Sequence, residues 1–265
     1  MMRKLYFIVL IILQAACTSA QEGVILGKRI SKDTPYAISL PNAQNPNHVR
    51  LEVRKGEIAS NGGRAEIMAE NSGFEQDYSF EFKVVKFAYE QNKHFIIADW
   101  HHSTALHNLA KEKGETLFSP IVIHIVGNSI VLADRAGRYV GEVGSLKENS
   151  KFKMNLMKVP LKMNEWNKIS IKIRWAENNT GAIDASINGI RVNKENIRTT
   201  YSMKYPNFFK LGIYRNLTYD NDSVLEFRNM KVGGKALVPN FNRKLTGEKN
   251  NNEKIIKSVK EKYRN

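Results

Sequence analysis

The stretch Phe208-Phe209-Lys210-Leu211-Gly212-Ile213-Tyr214-Arg215 has the period-two alternation of a β-strand. Alternation places Lys210 and Tyr214 on one face of this strand and apolar side chains on the other. Gly212 lies between the two polar residues and is predicted to leave room for another group to approach. An ammonium beside a phenol on a rigid strand is a candidate acid/base group. The stretch therefore predicts a β-fold with a chemically active strand.

Alternating or β-branched runs recur about a dozen times along the chain, with turn residues between them. The pair Asn188-Gly189 is typical of a tight hairpin, and Thr104–Lys113 is predicted to form one short helix. Many short strands without alternating helices predict an all-β fold, an antiparallel β-jelly roll or concanavalin-like β-sandwich. Periodicity assigns Trp100 and Trp175 to its core.

Residues 1–20 have the pattern of a secretory signal peptide. Arg3 and Lys4 precede an apolar run, Leu5–Leu13, which is short for a membrane span, and small residues follow. The pattern predicts an exported protein of the bacterial periplasm, the cell surface or the medium. Cys17 leaves a lipoprotein open as an alternative, although Gln14 stands where a lipidation motif prefers an aliphatic residue.

The β-domain is predicted to span residues 21–242, and residues 243–265 form a basic C-terminal tail, either a short helix or disordered. The formal net charge of +15 indicates an anionic partner: an acidic polysaccharide, nucleic acid or a membrane surface. A surface that is merely rich in lysine is the alternative. Export and the lack of a recognised motif argue against nucleic acid.

Polar side chains share a strand face at two further places. Arg64 and Glu66 lie two residues apart, as do Asp99 and His101. Each pair is a weak signal by itself, since a histidine on a strand is more often structural than catalytic.

The order and spacing of these segments resemble the heparin lyase I family of polysaccharide lyases, and more loosely the related alginate and glucuronan lyase jelly rolls. Members of these families carry an Arg-x-Glu strand, a Gln-x-His strand and a Tyr-Phe-Lys-x-Gly-x-Tyr strand. The matching segments here are Arg64–Glu66, Asp99–His101 and Phe208–Tyr214. A tryptophan strand with an Asn-Gly hairpin, Trp166–Val192, and a closing strand, Leu225–Gly233, extend the resemblance.

The resemblance implies β-elimination on a uronic-acid-containing anionic polysaccharide, of the heparin or heparan sulfate, glucuronan, alginate or ulvan type. A base removes the proton α to the uronate carboxylate, and an acid protonates the leaving glycosidic oxygen. His101, Tyr214 and Lys210 are the implied catalytic residues. Tyr214 would act as the acid, or as both base and acid, and His101 would act as the base when the proton lies on the opposite side of the sugar.

The same resemblance implies a substrate-binding set. Lys210 and Arg64 would neutralise the carboxylate, because the developing enolate needs positioned donors and positive charge. Glu66 would orient Arg64, and Asp99 and Arg215 complete the set.

Asp99 departs from the family pattern, in which glutamine stands at this position. A glutamine amide can donate to the substrate carboxylate, whereas an ionised aspartate cannot donate and repels it. Asp99 is therefore expected to be protonated, to pair with His101 or an arginine, or to face a substrate that sits differently. The last case includes the alternative function, a non-catalytic glycan-binding module on the same fold.

The implied reaction needs no redox cofactor. His102 and His107 have no partner at metal-ligand spacing, so the sequence predicts no metal in the site, while a structural calcium ion bound through oxygen ligands stays open. The expected partner is an anionic polysaccharide rather than nucleic acid. No transmembrane segment is expected after signal cleavage, and the mature protein is expected to be a monomer.

Overall fold

The computed structural model describes residues 23–31, 34–59, 62–70, 74–91, 93–149, 154–216 and 219–241. The predicted signal peptide, Cys17 and the basic tail 243–265 lie outside these residues. No helix within the described ranges is long and apolar enough to cross a membrane.

Strands make up most of the described chain. In chain order they are β1 (Val24–Ser31), β2 (Ile38–Ser39), β3 (His48–Val53), β4 (Gly63–Glu70), β5 (Glu75–Lys86), β6 (Phe95–His101), β7 (Ile121–Val126), β8 (Ser129–Asp134), β9 (Tyr139–Val140), β10 (Lys147–Glu148), β11 (Asn155–Pro160), β12 (Asn167–Arg174), β13 (Gly181–Ile187), β14 (Ile190–Ile197), β15 (Phe208–Arg215), β16 (Ser223–Val232) and β17 (Lys235–Pro239). One α-helix, α1 (Thr104–Glu112), follows β6.

The strands form two layers that share β1. The front sheet runs β11-β8-β7-β6-β15-β4-β1, and the back sheet runs β1-β17-β16-β5-β12-β13-β14 with β3 and β2 attached to β16. In both sheets neighbouring strands are antiparallel, except for β1 and β17, which pair in parallel. The predicted antiparallel jelly roll is thus confirmed, with one parallel pair that the sequence pattern does not indicate.

The core lies between the two sheets, and strand periodicity accounts for it. In β12, isoleucines at alternate positions are buried while the residues between them are exposed. Trp100 and Trp175 lie in the core, as predicted, with exposed fractions of 0% and 6%. Tyr78 and Phe209 pack on Trp100, with ring centroids 5.0 and 5.1 Å away.

The predicted Asn-Gly hairpin and the short helix are also confirmed. Asn188 and Gly189 connect β13 to β14 with φ angles of 51° and 86°, as a type I′ turn requires. Ser103 caps α1 through its side chain, which accepts a hydrogen bond from the Leu106 amide at 3.2 Å.

Strand β15 lies inside the front sheet, between β4 and β6. Gly212 has a φ of 150°, and a Cβ atom there would lie 2.2 Å from the Ala65 carbonyl oxygen. The room that this glycine provides is therefore used by the neighbouring strand β4, and not by a ligand. The ladder with β6 shifts register between Leu211 and Tyr214, which is a β-bulge at this glycine.

Candidate active site

The outer face of the front sheet carries a cavity of about 440 Å³, the main cavity. Its walls are formed by Ile30, Arg64, Met68, Ile96, His101, Thr104, His107, Leu117, Phe118, Ser119, Arg135, Phe208, Lys210 and Tyr214. Four predicted residues, Arg64, His101, Lys210 and Tyr214, therefore converge on one space although they come from three strands. Among the described residues, no carboxylate lines it.

Tyr214 is held in place from several sides. The Arg64 guanidinium lies 3.8 Å from the centre of its ring, a cation–π contact, and the His94 ring centroid lies 4.7 Å away. A Cβ atom on Gly62 would lie 2.4 Å from the Tyr214 ring, so the backbone packs closely there. These contacts fix the ring and place positive charge beside the phenol.

Arg64 and Glu66 form a buried ion pair. Arg64 Nη1 donates to Glu66 Oε2 at 2.9 Å, and their exposed fractions are 9% and 2%. Burial, together with the charge of Asp99, raises the pKa of Glu66 to about 7. Glu66 does not line the main cavity, so the structure gives it the part of orienting Arg64 rather than of touching a ligand.

Lys210 lies on β15 between the other two strands of the site, with Met68 of β4 and Asp99 of β6 as its register partners. Its side chain is buried, and its ammonium lies 5.2 Å from the centre of the Phe208 ring. Within the described residues, no carboxylate comes within ion-pair distance of the Lys210 ammonium. Its charge partly offsets the rise in the pKa of the nearby Glu66 carboxyl without a direct ion pair, and a buried cation in this arrangement can receive an anionic ligand group.

His101 has a defined tautomer. Its Nδ1 lies 2.7 Å from the carbonyl oxygen of His102, which can only accept, so Nδ1 donates and Nε2 keeps its lone pair. Burial and then the charge of Lys210 lower the pKa of His101 from its usual value. His101 is therefore a neutral imidazole with a free acceptor nitrogen, as a general base must be.

His101 and Tyr214 approach the main cavity from different ends. His101 is the register partner of Phe208, six positions before Tyr214 on β15. At strand spacing their backbones lie about 20 Å apart, with Lys210 between them. Since both side chains line the same cavity, a ligand in it lies between the imidazole and the phenol.

Asp99 forms a contact that the sequence does not indicate. The Ser119 hydroxyl donates to Asp99 Oδ2 at 2.5 Å, and Asp99 has an exposed fraction of 2%. Its pairing is thus with neither His101 nor an arginine. The predicted substrate-binding role requires the Asp99 carboxylate to reach the wall of the main cavity. In the structure Ser119 lines this wall and Asp99 does not.

Arg215 is also placed away from the cavity. It follows Tyr214 and points to the opposite face of β15, where it is 2% exposed. Its guanidinium donates to the carbonyl oxygens of Asn221 and Arg54 and to the Ser223 hydroxyl. These hydrogen bonds hold the loops at Arg54 and Asn221 against β15. Arg215 therefore has a structural role in this protein, away from the main cavity where a substrate contact was predicted.

The sequence does not indicate several residues that line the cavity or contact the Tyr214 ring, among them His94, Phe118, Ser119 and Arg135. Arg135 follows β8 in a tight turn, where its amide and that of Ala136 donate to the Pro120 carbonyl at 2.6 and 3.1 Å. No sequence motif marks these positions, because only the folded sheet brings their loops to β15.

No group of three or more histidine, cysteine, aspartate or glutamate side chains in the described ranges is arranged to hold a metal ion. The four predicted residues supply the main cavity with an ammonium, a guanidinium, an imidazole and a phenol.

Comparison with solved structures gives the fold. The endo-β-1,4-glucuronan lyase of the fungus Trichoderma reesei has a TM-score of 0.55 at 16% identity, over 70% of this chain and 80% of that one. A substrate complex of the family 7 alginate lyase A1-II′ has a TM-score of 0.53 at 10% identity, over 77% and 84%. Another structure of that alginate lyase has a TM-score of 0.52 at 12% identity, over 75% and 83%. No curated protein sequence is significantly similar to the chain.

The sequence pattern of a family described as polysaccharide lyase matches residues 20–231. That family is broader than the heparin lyase I family, so the narrower resemblance stays a prediction. The match spans most of the chain and all four residues that converge on the main cavity, and it agrees with the jelly-roll fold. This protein therefore belongs to the polysaccharide lyase family.

Proposed function

We propose that the protein cleaves a uronic-acid-containing polysaccharide by β-elimination in the main cavity. The observation that carries this proposal is the convergence of Arg64, His101, Lys210 and Tyr214 on one space without a carboxylate in its wall. Such a space attracts an anionic sugar, and these four residues offer it a base, an acid and two cations. The named activities of the structural neighbours, on glucuronan and alginate, support the same substrate class.

Lys210 receives the uronate carboxylate. Neutralising this carboxylate makes the adjacent C5 proton more acidic, and the positive charge stabilises the enolate that forms when the proton leaves. Arg64 lines the same cavity and stacks on Tyr214, so its charge supports both the carboxylate and the phenol.

The proposed elimination uses His101 as base and Tyr214 as acid. His101 Nε2 takes the C5 proton, the electron pair forms the C4–C5 double bond, and the C4–O bond breaks. The Tyr214 hydroxyl protonates the departing oxygen. A separate base and acid suit a sugar whose C5 proton and C4 oxygen lie on opposite sides, as in guluronate or iduronate. For glucuronate or mannuronate, with both groups on one side, Tyr214 would serve as base and acid in turn.

A panel of polymers tests the proposal. The mature protein is incubated with heparan sulfate, glucuronan, alginate and ulvan while ultraviolet absorbance of the unsaturated product is followed. We expect absorbance to rise with at least one polymer, and the responding polymer identifies the substrate. Binding to these polymers without any rise in absorbance would instead favour the glycan-binding module and contradict the lyase proposal.

The pH dependence provides a further prediction. The general base must be neutral, and the lowered pKa of His101 keeps it neutral as the pH falls below 6.5. We therefore expect the acid limb of the kcat/KM profile to have its inflection below pH 6.5. Because the Asp99 carboxylate raises the pKa of His101, Asp99→Asn should move this limb to still lower pH. An inflection at or above 6.5 in the native protein would contradict His101 as base.

The enzyme is proposed to act outside the cytoplasm as a monomer after loss of residues 1–20, without a redox cofactor.

A further inference from the structure

A second cavity of about 320 Å³, the side cavity, adjoins the main one at Tyr214. Its lining residues are His94, Ile96, Phe118, Arg135, Arg138, Tyr139, Met154 and Tyr214. Four of these, including Arg135 and Tyr214, also line the main cavity, so the two cavities are immediate neighbours. The acid that protonates the leaving oxygen therefore stands at the boundary between them.

The position of Tyr214 between the two cavities determines which sugar of the polymer lies next to the side cavity. In the proposed elimination the uronate that loses its proton lies on the Lys210 side of Tyr214. The glycosidic oxygen at Tyr214 joins this uronate to the next sugar of the polymer. That next sugar, which departs with the oxygen, must extend beyond Tyr214, and the side cavity is the space that opens there.

Arg135 provides the charge of the side cavity. Its side chain is half-buried, and in the described part of the chain no carboxylate comes within ion-pair distance of its guanidinium. The turn that carries it is fixed, because the buried Asp134 carboxylate accepts a hydrogen bond from the Gly137 amide at 3.0 Å. Arg138, at the same cavity, differs, since it forms an ion pair with Glu148 at 2.6 Å. Arg135 is thus the cation of this cavity that is left for a ligand.

Neutral hydrogen-bonding groups accompany this charge. His94 lines the cavity, and its Nε2 is buried without a hydrogen-bond partner among the described residues, as is Nε2 of His124 nearby. Burial and the charge of Arg135 lower the pKa values of both histidines, that of His124 to about 4. Phe118, 50% exposed, offers an apolar ring face with the Arg135 guanidinium 5.8 Å from its centre. One cation, neutral donors and an aromatic face suit a sugar with one acidic group.

We propose that the side cavity binds the sugar on the leaving side of the cleaved bond and that Arg135 selects a singly charged oxyanion on it. This inference rests on the proposed function. It makes the protein an enzyme for polymers with acidic groups on consecutive sugars. The oxyanion is a carboxylate if both sugars are uronates and a sulfate ester if the neighbour is a sulfated amino sugar.

Binding measurements separate this proposal from catalysis. Three oligosaccharides are titrated calorimetrically into the Tyr214→Phe protein: one of consecutive uronates, one of uronate alternating with an uncharged amino sugar, and one of uronate alternating with a sulfated amino sugar. Arg135→Gln is then added to the same background. The matched control is Arg174→Gln, an exposed arginine on the back sheet that bonds to the Thr180 carbonyl.

We expect Arg135→Gln to weaken binding of the oligosaccharide of consecutive uronates, of the sulfated oligosaccharide, or of both. The expected loss of affinity is roughly tenfold, as loss of a charge-assisted hydrogen bond predicts. Which of the two loses affinity identifies the oxyanion. Binding of the uncharged alternating oligosaccharide should change less than about twofold. Arg135→Lys should restore part of the loss, and thermal melting checks that each variant folds.

An equal loss for all three oligosaccharides, or no loss for any, would overturn the assignment of Arg135. The proposed function fails through a different result, namely the absence of unsaturated product from the native protein on every polymer.

Discussion

Replacing Tyr214 with phenylalanine is expected to lower kcat by about 10³-fold while substrate affinity changes only a few-fold. Tyr214 lines both cavities, and its phenolic hydroxyl is the proposed donor to the leaving oxygen. Loss of a general acid has an effect of this size. Phenylalanine keeps the ring contacts with Gly62, Arg64 and His94, so the fold should be unaffected.

Steady-state kinetics on the responding polymer, together with calorimetric binding, measures both quantities. Tyr89→Phe is the matched control, because Tyr89 is an exposed tyrosine that lines neither cavity. Turnover of Tyr214→Phe within tenfold of the native rate would remove Tyr214 from the chemistry. A parallel loss of binding and turnover would make it a binding residue only.

Replacing Lys210 with methionine is expected to have the second large effect on catalysis. Without the ammonium the carboxylate keeps its charge and the enolate loses its stabilising cation, so kcat/KM should fall about 10²- to 10³-fold, the effect of removing one preorganised stabilising group. Because the charge of Lys210 lowers the pKa of His101, the variant should also titrate His101 at higher pH, which NMR of the imidazole can follow.

Lys172→Met is its matched control, an exposed lysine on the back sheet that is paired with Glu75 at 2.6 Å. Activity that survives Lys210→Met, with the His101 titration unmoved, would mean that Lys210 faces neither the substrate nor the base. Lys210→Arg, which keeps the charge, should retain more activity than the methionine variant.

Much of the fold could be predicted from local pattern. The alternation in β12 and β15, the Asn188-Gly189 turn and the short helix α1 are each encoded by neighbouring residues. The convergence of the four main site residues on one cavity could be expected once those strands were assigned to one sheet, because alternation decides which side chains share a face.

The sequence pattern could not indicate contacts between distant segments. β17 pairs in parallel with β1 from the other end of the chain, and β11 is a six-residue strand at the edge of the front sheet. A local pattern carries no information about such partners. Gly212 shows the same limit, since its role depends on the Ala65 carbonyl of another strand.

Two predicted substrate contacts differ in the structure for one physical reason. Asp99 and Arg215 are almost fully buried and are hydrogen-bonded to protein groups, Asp99 to the Ser119 hydroxyl and Arg215 to the Ser223 hydroxyl and loop carbonyls. A buried charge needs such partners, and partners from distant segments cannot be identified from strand periodicity. The Arg64–Glu66 ion pair joins residues two positions apart, so alternation does predict it. The opposite holds for Arg135, on the turn after β8: it lines both cavities, yet the sequence does not indicate it as a site residue. An arginine in a loop has no distinctive sequence context.

The masses of the products from a defined uronate oligosaccharide test β-elimination most directly. Elimination adds no water, so the masses of the two fragments should sum to the mass of the substrate, and the fragment from the Lys210 side should carry the new double bond. If the two masses instead sum to the substrate plus one water, the protein hydrolyses its substrate, and the roles assigned to His101, Lys210 and Tyr214 are contradicted.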